Sequence, residues 1–299
     1  MWMYEEIDME EIKIKAHDGL DLYAIYSEAK NPKAMVQIVH GMAEHKERYI
    51  PFIQKLNDNG YTCIIIDHRG HGKSISKEYP YGHIAAPEIM VSDQYCVTKY
   101  IKERNPNLDL YMFAHSMGTL VARNYLMTHD NEIKSLILSG TVYYPRGVSI
   151  AIFFGKLLSI GKNKYKTSKL LYFFSNDCSF NEDISWISVS EENIDDYKND
   201  PLCGFKFTNY GYLNLFKMTK NLHAYKKYNV KNPLLRIVSL SGKLDRTTGG
   251  TKNLKKTIKA LNKIGYRNTS FIEYDNMKHE ILNEADTKAI YLDIFEFLR

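Results

Sequence analysis

The sequence predicts an α/β chain: a doubly wound, mostly parallel sheet carrying an inserted, mainly helical cap. Three observations lead there. Short, near-continuous apolar runs recur along the 299 residues, and stretches of helical period separate most of them. This alternation stops between residues 142 and 232, and then it resumes. Residues 12–15 and 20–26 alternate in polarity around His17-Asp18-Gly19, a strong turn signal, so they read as an antiparallel hairpin. The runs 35–39, 63–66, 110–114, 136–138 and 234–240 have the character of strands buried on both faces. Residues 46–59, 88–104 and 118–129 read as helices between them. After the interruption, 251–263 is helical, 269–274 a strand and 285–298 a closing amphipathic helix. The expected organisation is a core of residues 1–141 and 233–299, with residues 142–232 inserted as a cap.

Composition narrows the function. With 44% hydrophobic and 25% charged residues the chain is too apolar for disorder, and a net charge of +5 is too mild for a nucleic-acid binder. The insertion holds 13 basic against 8 acidic residues, so it carries the charge surplus, along with 18 aromatic residues. The first eight residues lack the basic flank and apolar core of a signal peptide, and the uncharged run 147–155 is shorter than the roughly 20 residues a bilayer requires. Cys63, Cys96, Cys178 and Cys203 show no paired or metal-ligand spacing; a cytoplasmic setting with free thiols is expected.

Phe113-Ala-His-Ser-Met-Gly-Thr119 lies where a buried strand meets a helix, the context in which a sharp turn exposes a nucleophilic serine. Ala114 and Gly118 are the small residues flanking Ser116 at two positions' distance. An acid and a histidine follow in the order such a sheet uses: Asp245, just after the strand 234–240, and His279, just after the strand 269–274. A serine hydroxyl needs an imidazole to take its proton, and the imidazole needs a carboxylate to orient it. Asp275, four residues before His279, is the alternative acid. The backbone N–H groups of Met117 and of Met42, in the loop after the strand 35–39, are the candidate oxyanion donors.

Two rival readings fail on spacing. His40, His45, His68 and His71 lack any metal-binding pattern, so no metal is expected. Gly72-Lys73-Ser74 ends like a phosphate-binding loop, but Asp67 stands where that loop requires glycine.

Six blocks resemble the monoglyceride lipase and lysophospholipase branch of the α/β-hydrolase family: His40-Gly-Met-Ala-Glu-His-Lys-Glu-Arg-Tyr49, Asp67-His-Arg-Gly-His-Gly-Lys-Ser74, Ala114-His-Ser-Met-Gly118, Asp200-Pro-Leu-Cys-Gly-Phe-Lys-Phe-Thr208, Ser241-Gly-Lys-Leu-Asp245 and His279-Glu-Ile-Leu-Asn-Glu284. The resemblance implies a serine esterase without cofactor, acting on a monoacylglycerol or lysophospholipid, with a cap that roofs the site and guides one acyl chain. By position it places Glu44 and Arg48 near the substrate's polar head. Two departures are Ala114 for the elbow glycine and Arg246-Thr-Thr-Gly249 where relatives often continue Asp-Pro-Val-Gly. The alternatives are a short-chain carboxylesterase or thioesterase, or a non-catalytic binding protein on the same fold. In the cap, residues 150–154 and 157–158 with Lys162, Lys164, Lys166 and Lys169 read as a helix packed on the core beside solvated lysines. The alternative is a weak, salt-sensitive contact with lipid surfaces.

Overall fold

The computed structural model describes residues 9–175 and 184–299. Eight strands form one sheet: β1 (Met9–Lys15), β2 (Asp21–Ser27), β3 (Ala34–Val39), β4 (Tyr61–Ile66), β5 (Leu110–His115), β6 (Ser135–Ser139), β7 (Arg236–Gly242) and β8 (Asn268–Tyr274). Their order is β1-β2-β4-β3-β5-β6-β7-β8. β1 pairs antiparallel with β2, and β2 with β4; every other pairing is parallel. The inner parallel strands β3, β4 and β6 are buried on both faces because helices cover them, so their sequences are mostly apolar runs, whereas the edge strand β8 is mixed in polarity and partly exposed.

Helices α2 (Pro87–Arg104), α3 (Met117–His129) and α8 (Thr251–Ile264) cover one face, through Met90, Val97, Leu120 and Leu261. On the other face lie α1 (Ile50–Asp58) and α9 (Lys288–Phe297), through Phe52, Ile53, Leu56 and Ile294. Each such aliphatic side chain contributes about 1.5–3 kcal/mol on full burial.

Of the boundaries that differ from the expectation, three show what sets them locally. The helix expected over 46–59 opens as a 3-10 turn, Lys46–Tyr49, and the α-helix starts only at Ile50, with Pro51 in its first turn. β7 begins at Arg236 because Leu235 N–H closes a turn onto Asn232 C=O, leaving Leu234 68% exposed. The closing helix begins at Lys288, after a 3-10 turn at Ile281–Asn283.

Between β6 and β7 the described residues form α4 (Val148–Leu158), α5 (Lys169–Phe174), α6 (Glu191–Asn199) and α7 (Asn209–Asn221), and no strand. The segment from α4 to α5 is carried by α7, whose Asn209 side chain donates to Leu158 C=O at 3.0 Å and Asn163 C=O at 2.9 Å. Residues 184–204 are bonded to the loops at the carboxyl ends of the strands instead.

Candidate active site

The carboxyl ends of β5, β7 and β8 bring the three sequence-nominated side chains to one edge. Ser116 follows β5 directly and is the N-cap of α3, with φ +51° and ψ −121°. A non-glycine residue in that region holds strain of about 1–3 kcal/mol and persists only where its surroundings enforce it. The turn closes because Gly118 is pressed against β3: a Cβ there would stand 2.2 Å from Val39 C=O. Ala114, at the other flank, is wholly buried within the sheet and its methyl group is accommodated.

His279 is buried, and its Nδ1 lies 3.0 Å from Asp245 Oδ2. Burial disfavours the imidazolium, but the adjacent, hydrogen-bonded Asp245 carboxylate outweighs it, and the pKa of His279 is raised. For Asp245, burial favours the neutral acid, yet His279 and the Thr247 donors outweigh it and hold the carboxyl below its usual range. Asp275 is at the surface, paired with Lys243 at 2.8 Å. Thr247 was not singled out from the sequence. Its backbone N–H and hydroxyl both donate to Asp245 Oδ1 at 2.7 Å, and Oγ1 lies 2.9 Å from His279 Nδ1. The signal was the departure at Arg246-Thr-Thr-Gly249, read as a mismatch rather than as a hydroxyl placed against the imidazole. The distal nitrogen, Nε2, is buried and has no hydrogen-bond partner among the described residues.

Ser116, His279 and Thr247 border a cavity of about 570 Å³, a volume suited to a small organic ligand. Met42 and Met117 border it too. Met117 is the first residue of α3, where backbone N–H groups have no intrahelical acceptor. Much of the wall is apolar, with Leu120, Ala151, Phe174 and Phe216 among its residues.

Glu44 also borders the cavity, whereas Arg48 lies behind it. Arg48 donates to both carboxylate oxygens of Glu280, at 2.8 and 2.7 Å, to Glu44 at 3.0 Å and to Asn193 at 3.1 Å. Glu44 additionally accepts from Gly41 N–H and from the Tyr49 hydroxyl. Both charges are therefore engaged within the protein.

The glycine-rich turn of residues 67–74 encloses a carboxylate of its own. Asp67 accepts from the Lys46 and Lys73 amides and from Lys46 Nζ, all at 2.9 Å, and a Cβ on Gly72 would stand 2.3 Å from its oxygens. A phosphate would meet that negative charge. Among the described residues, one set of side chains has metal-ligand proximity: His45, Asp200 and Cys203. His45 lies 2.7 Å from Glu47 through Nδ1 and 2.7 Å from Asp200 through Nε2, the spacing of a doubly hydrogen-bonded imidazole. Two ligands of a tetrahedral zinc at roughly 2.0–2.1 Å would stand about 3.3 Å apart, so these donors do not fit that ion.

The serine aminopeptidase S33 family model matches residues 30–286. The chain belongs to this α/β-hydrolase family. Among its relatives is the Bacillus subtilis phospholipase YtpA, 25% identical over 268 residues that cover 88% of this chain and 94% of that one. A monoacylglycerol lipase of Mycolicibacterium smegmatis is 28% identical over 142 residues, 46% of this chain and half of that one. The rat monoglyceride lipase is 24% identical over 187 residues, 62% of this chain and 57% of that one. Among solved structures, a thermostable carboxyl esterase from Bacillus coagulans superimposes with a TM-score of 0.83 over 98% of both chains, at 24% identity. A lipase in its open form gives 0.85 over 97% of this chain and 98% of that one, also at 24% identity. These likenesses establish the α/β-hydrolase fold.

Proposed function

We propose that this α/β hydrolase cleaves the carboxylic ester of a monoacylated lipid, a monoacylglycerol or lysophospholipid, through an acyl-Ser116 intermediate. The observation that carries the reading is the buried His279, held at Nδ1 by Asp245, with Nε2 free of hydrogen bonds among the described residues beside the cavity that Ser116 also borders. His279 takes the Ser116 proton as Oγ adds to the ester carbonyl, and Asp245 stabilises the imidazolium that results. The oxyanion accepts hydrogen bonds from the Met42 and Met117 amides. The protonated His279 then gives its proton to the departing alcohol, and water deacylates the serine by the same steps. No step calls for a cofactor or metal.

Residues 142–232 act as the cap, with Phe174, Ala151 and Phe216 receiving the acyl chain. Glu44 lies at the polar end, and Arg48 acts on the head group by fixing Glu44 and Glu280, the latter also bordering the cavity. An aminopeptidase needs a carboxylate for the substrate's ammonium group. Glu44 and Glu280 are already bonded to Arg48, which favours an ester over a peptide's terminal ammonium group.

The cap also supports a lipid-surface contact. Ile150, Phe153 and Leu157 share one outward face of α4 and are 55%, 64% and 55% exposed, while Ile160 and Phe173 add 64% and 68%. Lys156, Lys162, Lys166 and Lys169 are exposed beside them. Apolar side chains entering the interface, with lysines on anionic headgroups, give weak, salt-sensitive binding. No helix among the described residues is long and apolar enough to cross a membrane; a cytoplasmic enzyme that visits membranes is the setting we propose.

The test is a panel of esters and thioesters varying acyl length and head group. Monoacyl lipids should give the highest kcat/KM. A preference for short-chain esters would reassign the chain to carboxylesterases, and turnover of none would make it a binding protein.

A further inference from the structure

We infer that Ala43 is the strained pivot of the oxyanion loop, and that His71 and Tyr197 are positioning residues that pin it from below and from the cap. The kinetic consequence rests on the ester-hydrolase reading; the structural one does not.

Ala43 has φ +53°, a left-handed conformation that a residue with a Cβ adopts at a cost of about 1–2 kcal/mol. Such a residue persists when its neighbours over-determine it, and here all of its polar atoms are bonded to distant parts of the chain. Its N–H donates to His71 Nε2 at 3.2 Å. Its carbonyl accepts from the Tyr197 hydroxyl at 3.0 Å and from Gly204 N–H at 2.9 Å. Two residues earlier, Gly41 N–H is held by Glu44. The peptide plane that carries the Met42 N–H therefore lies between two planes that are each fixed.

His71 suits this task. Its Nδ1 faces Arg69 C=O at 3.3 Å, which leaves Nε2 as the acceptor. Burial, with His68 nearby, pushes its pKa down to about 3, so the ring stays neutral and Nε2 keeps its lone pair. The ring is wedged edge-on against His40 and against Phe205 and Phe207 of the cap. The turn of residues 67–74, which closes on Asp67, thus presents a neutral imidazole beneath the oxyanion loop. Tyr197 and Gly204 make residues 184–204 of the cap part of the catalytic scaffold.

The test measures kcat and KM on a p-nitrophenyl ester, together with hydrogen exchange of segment 40–45, in wild type, His71→Phe, His71→Gln and Tyr197→Phe. Losing an oxyanion donor outright costs about 10²–10³ in kcat, and misaligning one costs less. His71→Phe keeps the ring and removes the acceptor, so kcat should fall about 10- to 100-fold at unchanged KM. His71→Gln, which offers a carbonyl acceptor, should recover most of that loss. Tyr197→Phe should lower kcat only a few-fold, because Gly204 N–H still holds the carbonyl. Exchange in segment 40–45 should quicken in His71→Phe and Tyr197→Phe. Equal losses in His71→Phe and His71→Gln would overturn the acceptor role. A Tyr197→Phe variant that raises KM at unchanged kcat would make Tyr197 a substrate contact and overturn its part. If wild type hydrolyses no ester, the functional reading fails, yet unchanged exchange in the variants would still refute the clamp and faster exchange would uphold it. Should His71→Phe not fold, Tyr197→Phe decides by the same two readouts.

Discussion

The two halves of the segment between β6 and β7 meet the rest of the molecule in opposite ways. Residues 184–204 are held by directional bonds to distant loops. Ile187 C=O accepts from Glu280 N–H at 2.7 Å, and Ser188 Oγ donates to Glu284 at 2.7 Å. Asn193 joins Glu280 and Arg48, His45 pairs with Asp200, and Tyr197 reaches Ala43. The half containing α4 and α5 rests on α7 and turns Ile150, Phe153 and Leu157 to solvent. Polar bonds fix one arrangement, whereas apolar side chains on an outward face tolerate a change of partner. One half is bonded to the loops around the active site, and the other presents the outward face on which the proposed lipid contact rests.

The largest effect should come from the site both halves cover. Ser116→Ala should lower ester hydrolysis by about a millionfold in a protein that still folds, and Asp245→Asn by about 10⁴-fold, while Asp275→Asn leaves the rate unchanged. Steady-state kinetics with folding checked by circular dichroism measures this; a slow Asp275→Asn would transfer the acid role.

The contrast between the halves should appear next in stability. Arg48→Met leaves Glu44 and Glu280 buried without their cation, and loss of one partner of a buried pair costs about 3–5 kcal/mol. Phe153→Ser, on the exposed face, should change unfolding free energy by less than about 0.5 kcal/mol. It should nevertheless reduce sedimentation with anionic vesicles, and high salt should do the same to wild type. Equal denaturation midpoints for the two variants would erase the distinction.

Two pH effects sharpen it further. Burial opposes the charge on His45, but Glu47 and Asp200 outweigh it and raise its pKa. A raised pKa means that the charged clamp stabilises fully below the unfolded value near 6.5 and fades as pH rises through the folded one. The stability gap between wild type and His45→Gln should therefore narrow from pH 6 to pH 9. His279 must be neutral to accept a proton, so the acid limb of kcat/KM should have its midpoint above the ordinary 6.5. Asp245→Asn should move that midpoint down. The smallest change should be Thr247→Val, which deletes the hydroxyl shared by Asp245 and His279 and should cost less than a tenfold drop in kcat, since Asp245 keeps its direct bond.

Much of this was legible in the sequence, where a physical rule ties residue type to place. Strands buried on both faces must be largely apolar, which exposes the sheet from β3 to β7. Carboxyl ends of parallel strands share one edge, which makes Ser116, Asp245 and His279 a set from their order alone. The orientation of α4 was not legible. Only Ser149 and Lys156 interrupt its apolar surface, so periodicity marks the solvent side too narrowly: Val148 and Ala151 pack on the core as expected, but Ile150, Phe153 and Leu157 stay outside. Nor was the partner of Arg48, since Glu280 lies 232 residues away and only the fold brings them together.

The central claim is that Ser116 is the nucleophile of this hydrolase, and intact-protein mass spectrometry after reaction with a fluorophosphonate tests it most directly. A single adduct, mapped by peptide sequencing to Ser116 and formed in step with loss of ester hydrolysis, is the predicted result. Full inactivation with Ser116 unmodified, or stoichiometric labelling of Ser116 with hydrolysis intact, would contradict it.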